Sequence, residues 1–203
     1  MAKTEKLDLY KQHKGEYVAP KTPALIDVGP ARYLAVQGRG EPGSPEFEAR
    51  MKALYSMAFT IKMASKFAGR DYKVCHLEGL WWGKRKGGDF MQLPRSQWNW
   101  ELMIRVPEFV TQRHLAEALS ALRQKGKGEQ ADRVKLKQLE EGRCVQVLHV
   151  GPYSDEPETI AAMRAFADEH GLTCHGVHHE IYLSDPRRGA PQRLRTILRQ
   201  PVR

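Results

Sequence analysis

Cysteine is scarce in this chain of 203 residues: Cys75, Cys144 and Cys174 are the three present, an odd number without the spacing of a disulfide framework. They are expected to be reduced. Long apolar runs are missing too. Nothing approaches the ~20 consecutive apolar residues that span a bilayer, and Met1 to Asp8 has no apolar centre of the kind a signal peptide carries. The expectation is a cytoplasmic protein with no membrane association. Paired metal-ligand spacings are also lacking. Cys174, His175, His178 and His179 are close in sequence, but neighbouring strand residues point to opposite faces and no second Cys pair completes four ligands. Neither a metal nor another cofactor is expected. Acidic residues are the minority charge, 24 against 33 Lys and Arg, for a formal net charge of +9. The basic groups Lys84 to Lys86, Arg123 to Lys137 and Arg187 to Arg199 are spread along the chain and join no nucleic-acid-binding motif, so a solvated basic surface and no specific nucleic-acid partner are expected.

What is present suits an ordinary globular protein: 41% hydrophobic and 28% charged residues, enough for one large domain or two small modules. Residues 1–23 are polar, and Pro20 and Pro23 prevent a long regular element, which predicts an arm. Strand patterns follow at Leu25 to Val28 and Arg32 to Val36, broken by Gly29-Pro30. Ser44 and Pro45 open a long amphipathic helix that Gly69 stops. Tyr72 to Trp82 and Gln97 to Val106 read as strands, and a helix from Pro107 to Lys125 links to what comes next.

Then the pattern repeats. Arg143 to Val147 can be laid on Arg32 to Val36, Gly151 falls on Gly40, a second helix opens near Ser154 or Asp155 and stops at Gly171, and Cys174 to Ser184 is a strand. A last strand runs from Leu194 to Pro201. The expected fold is α+β, a tandem pseudo-twofold repeat of two strand-helix-strand-strand modules with antiparallel sheets and a ligand groove between them. As a single domain over 1–203, it divides into the arm, a first module at 24–106, a linking helix and strand at 107–142, and a second module at 143–203.

Each module carries a glutamate in an otherwise apolar strand. In the strand around Glu180, alternation puts His178, Glu180 and Tyr182 on one face and Val177, Ile181 and Leu183 on the other. Around Glu78, the residues sharing its face are His76, Leu80 and Trp82, an apolar and aromatic surface that favours a cleft over open solvent. The repeat sets Glu78 and Glu180 in equivalent strands on either side of a shared groove. Two carboxylates in one low-dielectric groove raise the proton affinity of at least one.

The strings Leu77-Glu78-Gly79-Leu80-Trp81-Trp82 and His179-Glu180-Ile181-Tyr182-Leu183-Ser184-Asp185-Pro186-Arg187-Arg188, with the tandem repeat, resemble the GyrI-like small-molecule-binding superfamily over nearly all of residues 8 to 203. Stand-alone proteins with these strings resemble cyclopropanoid cyclopropyl hydrolases, which detoxify DNA-alkylating natural products by adding water to an activated cyclopropane. No helix-turn-helix extension precedes the modules, which sets aside the transcription-activator branch. The resemblance implies an inter-module groove with Glu180 as its acidic residue and Tyr182, Trp81 and Trp82 as aromatic positions. Glu180 and Tyr182 are accordingly the candidate catalytic residues, and Glu78, Trp81, Trp82 and His178 the candidate ligand-binding ones. A carboxylate can deprotonate water, a phenol or indole can stabilise charge on a carbonyl oxygen, and aromatic walls hold a flat substrate. The same groups would bind a hydrophobic or cationic small molecule without reaction. A noncatalytic drug-binding or sequestering protein is thus the alternative, followed by a gyrase-inhibitor-like protein-binding module.

Overall fold

Two short helical turns come first in the computed structural model, which describes residues 6–203. They are α1 (Leu9–Gln12), whose start is capped by Asp8 accepting from the Tyr10 amide, and α2 (Lys14–Tyr17). The expected arm therefore carries regular structure before Pro20, because Leu9 and Tyr17 bury themselves against the sheet. Its residues 1–5 lie outside the described chain. Strands β1 (Ala24–Val28) and β2 (Ala31–Arg39) follow, split at Gly29-Pro30. Ser44 accepts the Phe47 amide and Pro45 sits in the first turn, starting α3 (Pro45–Phe67). After it come β3 (Leu77–Trp82), β4 (Asn99–Val106), α4 (Gln112–Gln124), β5 (Lys135–Leu139), β6 (Gly142–Val150), α5 (Glu156–Glu169), β7 (His178–Tyr182) and β8 (Arg195–Pro201). No helix among the described residues is long and apolar enough to cross a membrane.

The eight strands form one antiparallel sheet in the order β1-β6-β8-β7-β3-β4-β2-β5. Val28 and Ala31 are joined by a link that reaches at most ~11 Å, yet β1 and β2 are first and seventh in the sheet. A flat sheet would part them by ~29 Å at the usual strand spacing. The sheet must curl until its two edges approach, and it does so with each edge strand paired into the other half. β1 lies on β6 and β5 on β2, with Val28 facing Gly142 and Leu139 facing Ala31.

These registers define the internal symmetry residue by residue. Ala24 maps on Lys135, Arg32 on Arg143 and Gly40 on Gly151, and the ladders carry Val106 onto Val202 and Leu102 onto Leu198. Gly79 faces Leu102 and Glu180 faces Leu198, so Gly79 maps on Glu180. Gly79 and Glu180 also face each other across β3 and β7, which puts this one pair on the pseudo-twofold axis.

The outward face of the sheet packs on helices: Leu34, Val36, Trp100 and Leu102 against α3, and Val145, Val147 and Leu198 against α5. The inward face combines Tyr33, Leu80, Met103, Ile181 and Ile197 with buried charges. His179 sits between two carboxylates, its Nε2 3.0 Å from Glu78 Oε2 and its Nδ1 3.0 Å from Glu141. With both ring nitrogens facing carboxylates, the imidazolium form donates to each. Burial alone would lower the His179 pKa, but the charge and hydrogen bond of Glu141, then those of Glu78, push it up to about 9. Arg199 donates to Glu141 at 2.8 Å, to Gln146 at 2.8 Å and to the Glu16 carbonyl at 2.7 Å. Tyr17 donates to Glu78 at 3.0 Å and Arg105 pairs with Glu16. Burial would raise the Glu141 carboxyl, yet His179 and then Arg199 hold it down at about 2. Three carboxylates thus meet three cations.

Removing the bridging cation with His179→Gln leaves Glu78 and Glu141 buried without it and should cost about 3–5 kcal/mol. His179 has a folded pKa above its ordinary value of ~6.5, so its contribution is full below that value and is lost as pH rises through about 9. Denaturant unfolding of both proteins across this window should show the gap narrowing as pH rises; a gap that does not change with pH would mean a neutral His179.

Candidate functional site

On the outward face, α3 packs over β2 and β4 and α5 over β6, so neither covers the central strands squarely. The strip between the helices, where the groove is expected, is formed by outward residues of β3 and β7: Gly79 and Trp81, His178, Glu180 and Tyr182. Glu180 is 6% exposed. Its Oε2 accepts the Tyr182 hydroxyl at 2.7 Å, and that hydroxyl oxygen accepts Trp81 Nε1–H at 3.1 Å. His178 Nε2 lies 3.5 Å from Glu180 Oε1, with its ring centroid 5.6 Å from that of Phe90. Burial, then the charge of Glu180, keeps the Tyr182 phenol protonated.

The glycine opposite Glu180 has a steric reason. A Cβ on Gly79 would stand 2.9 Å from Trp81 Nε1 and 3.0 Å from the Tyr182 hydroxyl oxygen, inside the hydrogen bond that joins them. The axis therefore carries one carboxylate and one bare backbone position. Aromatic side chains complete the walls: Phe47 stacks on Trp81 with centroids 6.2 Å apart, and Tyr153 meets Tyr182 edge-on at 5.9 Å.

A second carboxyl comes from the first residue of α5. Glu156 is 6% exposed, and its buried Oε1 has no hydrogen-bond partner among the described residues. Burial, and after it the charge of Glu180, pushes its pKa up to about 10, which favours the protonated form of Glu156. Burial first, then Glu156 and Glu180, push Tyr153 up to about 12. Sequence reasoning missed Glu156 because acids are ordinary in a first helical turn, where the dipole favours them. The available signal was that Glu156 lies inside the turn, beyond the Asp155 capping position.

Of the six residues expected at the site, the structure brings four together: Glu180, Tyr182, Trp81 and His178. Glu78 and Trp82 are on the opposite, inward face. Antiparallel partners share a face, and Glu78 faces Ile181 while Gly79 faces Glu180. The expected equivalence of the two glutamates was one residue out, since Glu78 maps on His179, the residue it is bonded to. Glu78 is wholly buried with both oxygens engaged. Trp82 is half-buried beside Leu80 and Met103, with the Lys86 ammonium 5.8 Å above its ring. A carboxyl pair does share the groove, but the partner of Glu180 is Glu156.

One curled sheet with symmetry-related helices flanking an aromatic, acidic groove defines a small-molecule-binding fold. Residues 21–203 match the model of the GyrI-like small molecule binding domain, and the chain belongs to that family. Among solved structures it is similar to an uncharacterized conserved protein from Listeria innocua, at 40% identity over 98% of this chain and 100% of the other, with a TM-score of 0.90. It is also similar to a hydrolase from Listeria innocua at 38% identity, with coverage of 98% and 100% and a TM-score of 0.87. The EcmrR C-terminal domain shares the fold at 12% identity, covering 90% of this chain and 97% of that domain with a TM-score of 0.59. A search of curated proteins found no match.

The proton on Glu156 can be tested directly. Side-chain carboxyl 13C NMR titration should show it protonated at pH 7, and Glu180→Gln should lower its pKa by removing the neighbouring charge while burial keeps it above the ordinary range. A Glu156 signal ionised at pH 7 in the unsubstituted protein would remove the protonated acid from the site.

Proposed function

We propose that the groove binds flat, hydrophobic electrophiles and adds water to them, acting on the activated cyclopropane of DNA-alkylating natural products and so detoxifying them. The observation that carries this reading is a pair of buried carboxyls: Glu180 on the axis, oriented by Tyr182, and Glu156, whose Oε1 has no hydrogen-bond partner among the described residues. A carboxylate base and a second, protonated carboxyl can divide a water addition between them. The similarity to a Listeria innocua hydrolase across the whole of that chain supports an enzyme.

In this reading a water above Glu180 gives its proton to the carboxylate as its oxygen bonds to a cyclopropane carbon. The strained carbon–carbon bond breaks, and its electrons move through the conjugated dienone to the carbonyl oxygen. Glu156 gives that oxygen its proton, so one water is added overall, and proton return from Glu180 to Glu156 resets the pair. The single hydrogen of Tyr182 is committed to Glu180 and the N–H of Trp81 to Tyr182. Their role is therefore to hold the base, and Trp81 and Tyr153 supply walls for a planar substrate.

Incubation with a cyclopropane-containing alkylator should yield a water adduct detectable by mass. Glu180→Gln keeps the shape without the base and should slow adduct formation by ~100-fold or more while affinity for the neutral substrate changes little. Tyr182→Phe should cost less, and Trp81→Ala should weaken binding together with turnover. Stoichiometric binding with no adduct would replace the enzyme with a sequestering protein, and turnover unchanged in Glu180→Gln would eliminate Glu180 as the base.

A further inference from the structure

Away from the groove, a cavity of about 560 Å³ opens where β5 begins. β5 starts at Lys135, opposite Ala35, so β2 runs on to Arg39 with no strand on that side, and a notch forms between this free edge, the turn Ala131–Arg133 and α3. Arg50, Lys86, Arg133, Lys135 and Lys137 line it, against two acids, Glu101 and Asp132. Glu101 is already spent: Lys137 pairs with it and Gln37 donates to it at 3.1 Å. Lys86, Arg133 and Lys135 have no ion-pair partner among the described residues. The lining is therefore cationic in excess, at the basic stretch Arg123 to Lys137 that the groove chemistry leaves unused.

Arg50 makes the feature more than a basic surface. It is 7% exposed, one of its terminal nitrogens pairs with Glu46 at 3.1 Å, and its buried Nε has no partner among the described residues. A buried donor without an acceptor is costly to keep. The two halves also differ here. α3 buries Arg50, whereas the buried residues of α5 beyond its first turn, Ile160, Met163 and Ala167, are all apolar. The symmetry counterparts of Lys135 and Lys137 are Ala24 and Ile26. The fold does not require these two lysines, since the equivalent strand has apolar residues in their places.

We propose that this notch is a second ligand site, which takes a small organic molecule bearing a multiply charged oxyanion, phosphoryl or polycarboxylate. Arg50 and Lys135 supply its charge-assisted donors, and Ala35 and Leu136 supply apolar wall for the rest of the molecule. The size falls within the range of small-molecule sites, ~300–1,000 Å³.

Titration calorimetry of the full chain with inorganic pyrophosphate, and separately with citrate, tests the proposal. Saturable one-to-one binding of at least one of them is expected, weakening as NaCl rises. Lys135→Ala should weaken it by about 5-fold and Arg50→Met by about 10-fold or more, since each removes a donor to a charged acceptor. Binding to pyrophosphate alone would assign a phosphoryl group, and binding to both a general polyanion site. Lys135 is exposed, so Lys135→Ala gives a folded control if Arg50→Met does not fold. No binding of either probe, or binding indifferent to Lys135→Ala, would overturn the site.

Discussion

The pairing of β3 with β7 is the constraint on which the rest depends. It joins the two halves into one sheet, sets Gly79 and Glu180 on the pseudo-twofold axis, and so decides which face every side chain of the central strands occupies. A slip of one residue would carry Glu180 into the inward core and bring His179 out. The hydrogen bond from Trp81 to Tyr182 crosses this register, that from Tyr182 to Glu180 continues it along β7, and Gly79 is the residue that leaves room for the first.

The two faces treat buried charge in opposite ways. Inward, Glu16, Glu78 and Glu141 meet His179, Arg105 and Arg199, and the pairs are closed by Tyr17 and Gln146, so the network is balanced. Outward, Glu180 and Glu156 are buried with His178 as the one basic side chain paired to Glu180 among the described residues, and burial with the Glu180 charge favours a proton on Glu156. A balanced network holds a fold in place. An unbalanced one keeps a proton available, which is what acid and base chemistry requires.

Symmetry of backbone has not meant symmetry of chemistry. Glu180 maps on Gly79, Glu78 on His179, and Lys135 on Ala24. At the axis the divergence is forced, because two glutamates facing each other there would bring two charges to one point and would displace the Trp81–Tyr182 bond. At the rim it is free, and the lysines of β5 stand where β1 has Ala24 and Ile26.

Much of this was legible in the amino-acid order. Alternation in the strands, caps at Ser44 and Asp155, breaks at Gly29-Pro30 and Gly171, and the recurrence of Arg32 to Gly40 in Arg143 to Gly151 determined the mixed fold and its repeat, because local periodicity and turn chemistry act over a few residues. Alternation also determined that His178, Glu180 and Tyr182 share a face. Only the tertiary structure decided which strand residues are symmetry partners, since helices of unequal length separate them and the offset between repeats changes from strand to strand. It likewise decided that Glu156, 24 residues before Glu180 in the chain, is the second carboxyl, and that Glu78 is a structural one. Burial and the proximity of another charge belong to the assembled sheet and helices, and no short stretch of sequence contains them.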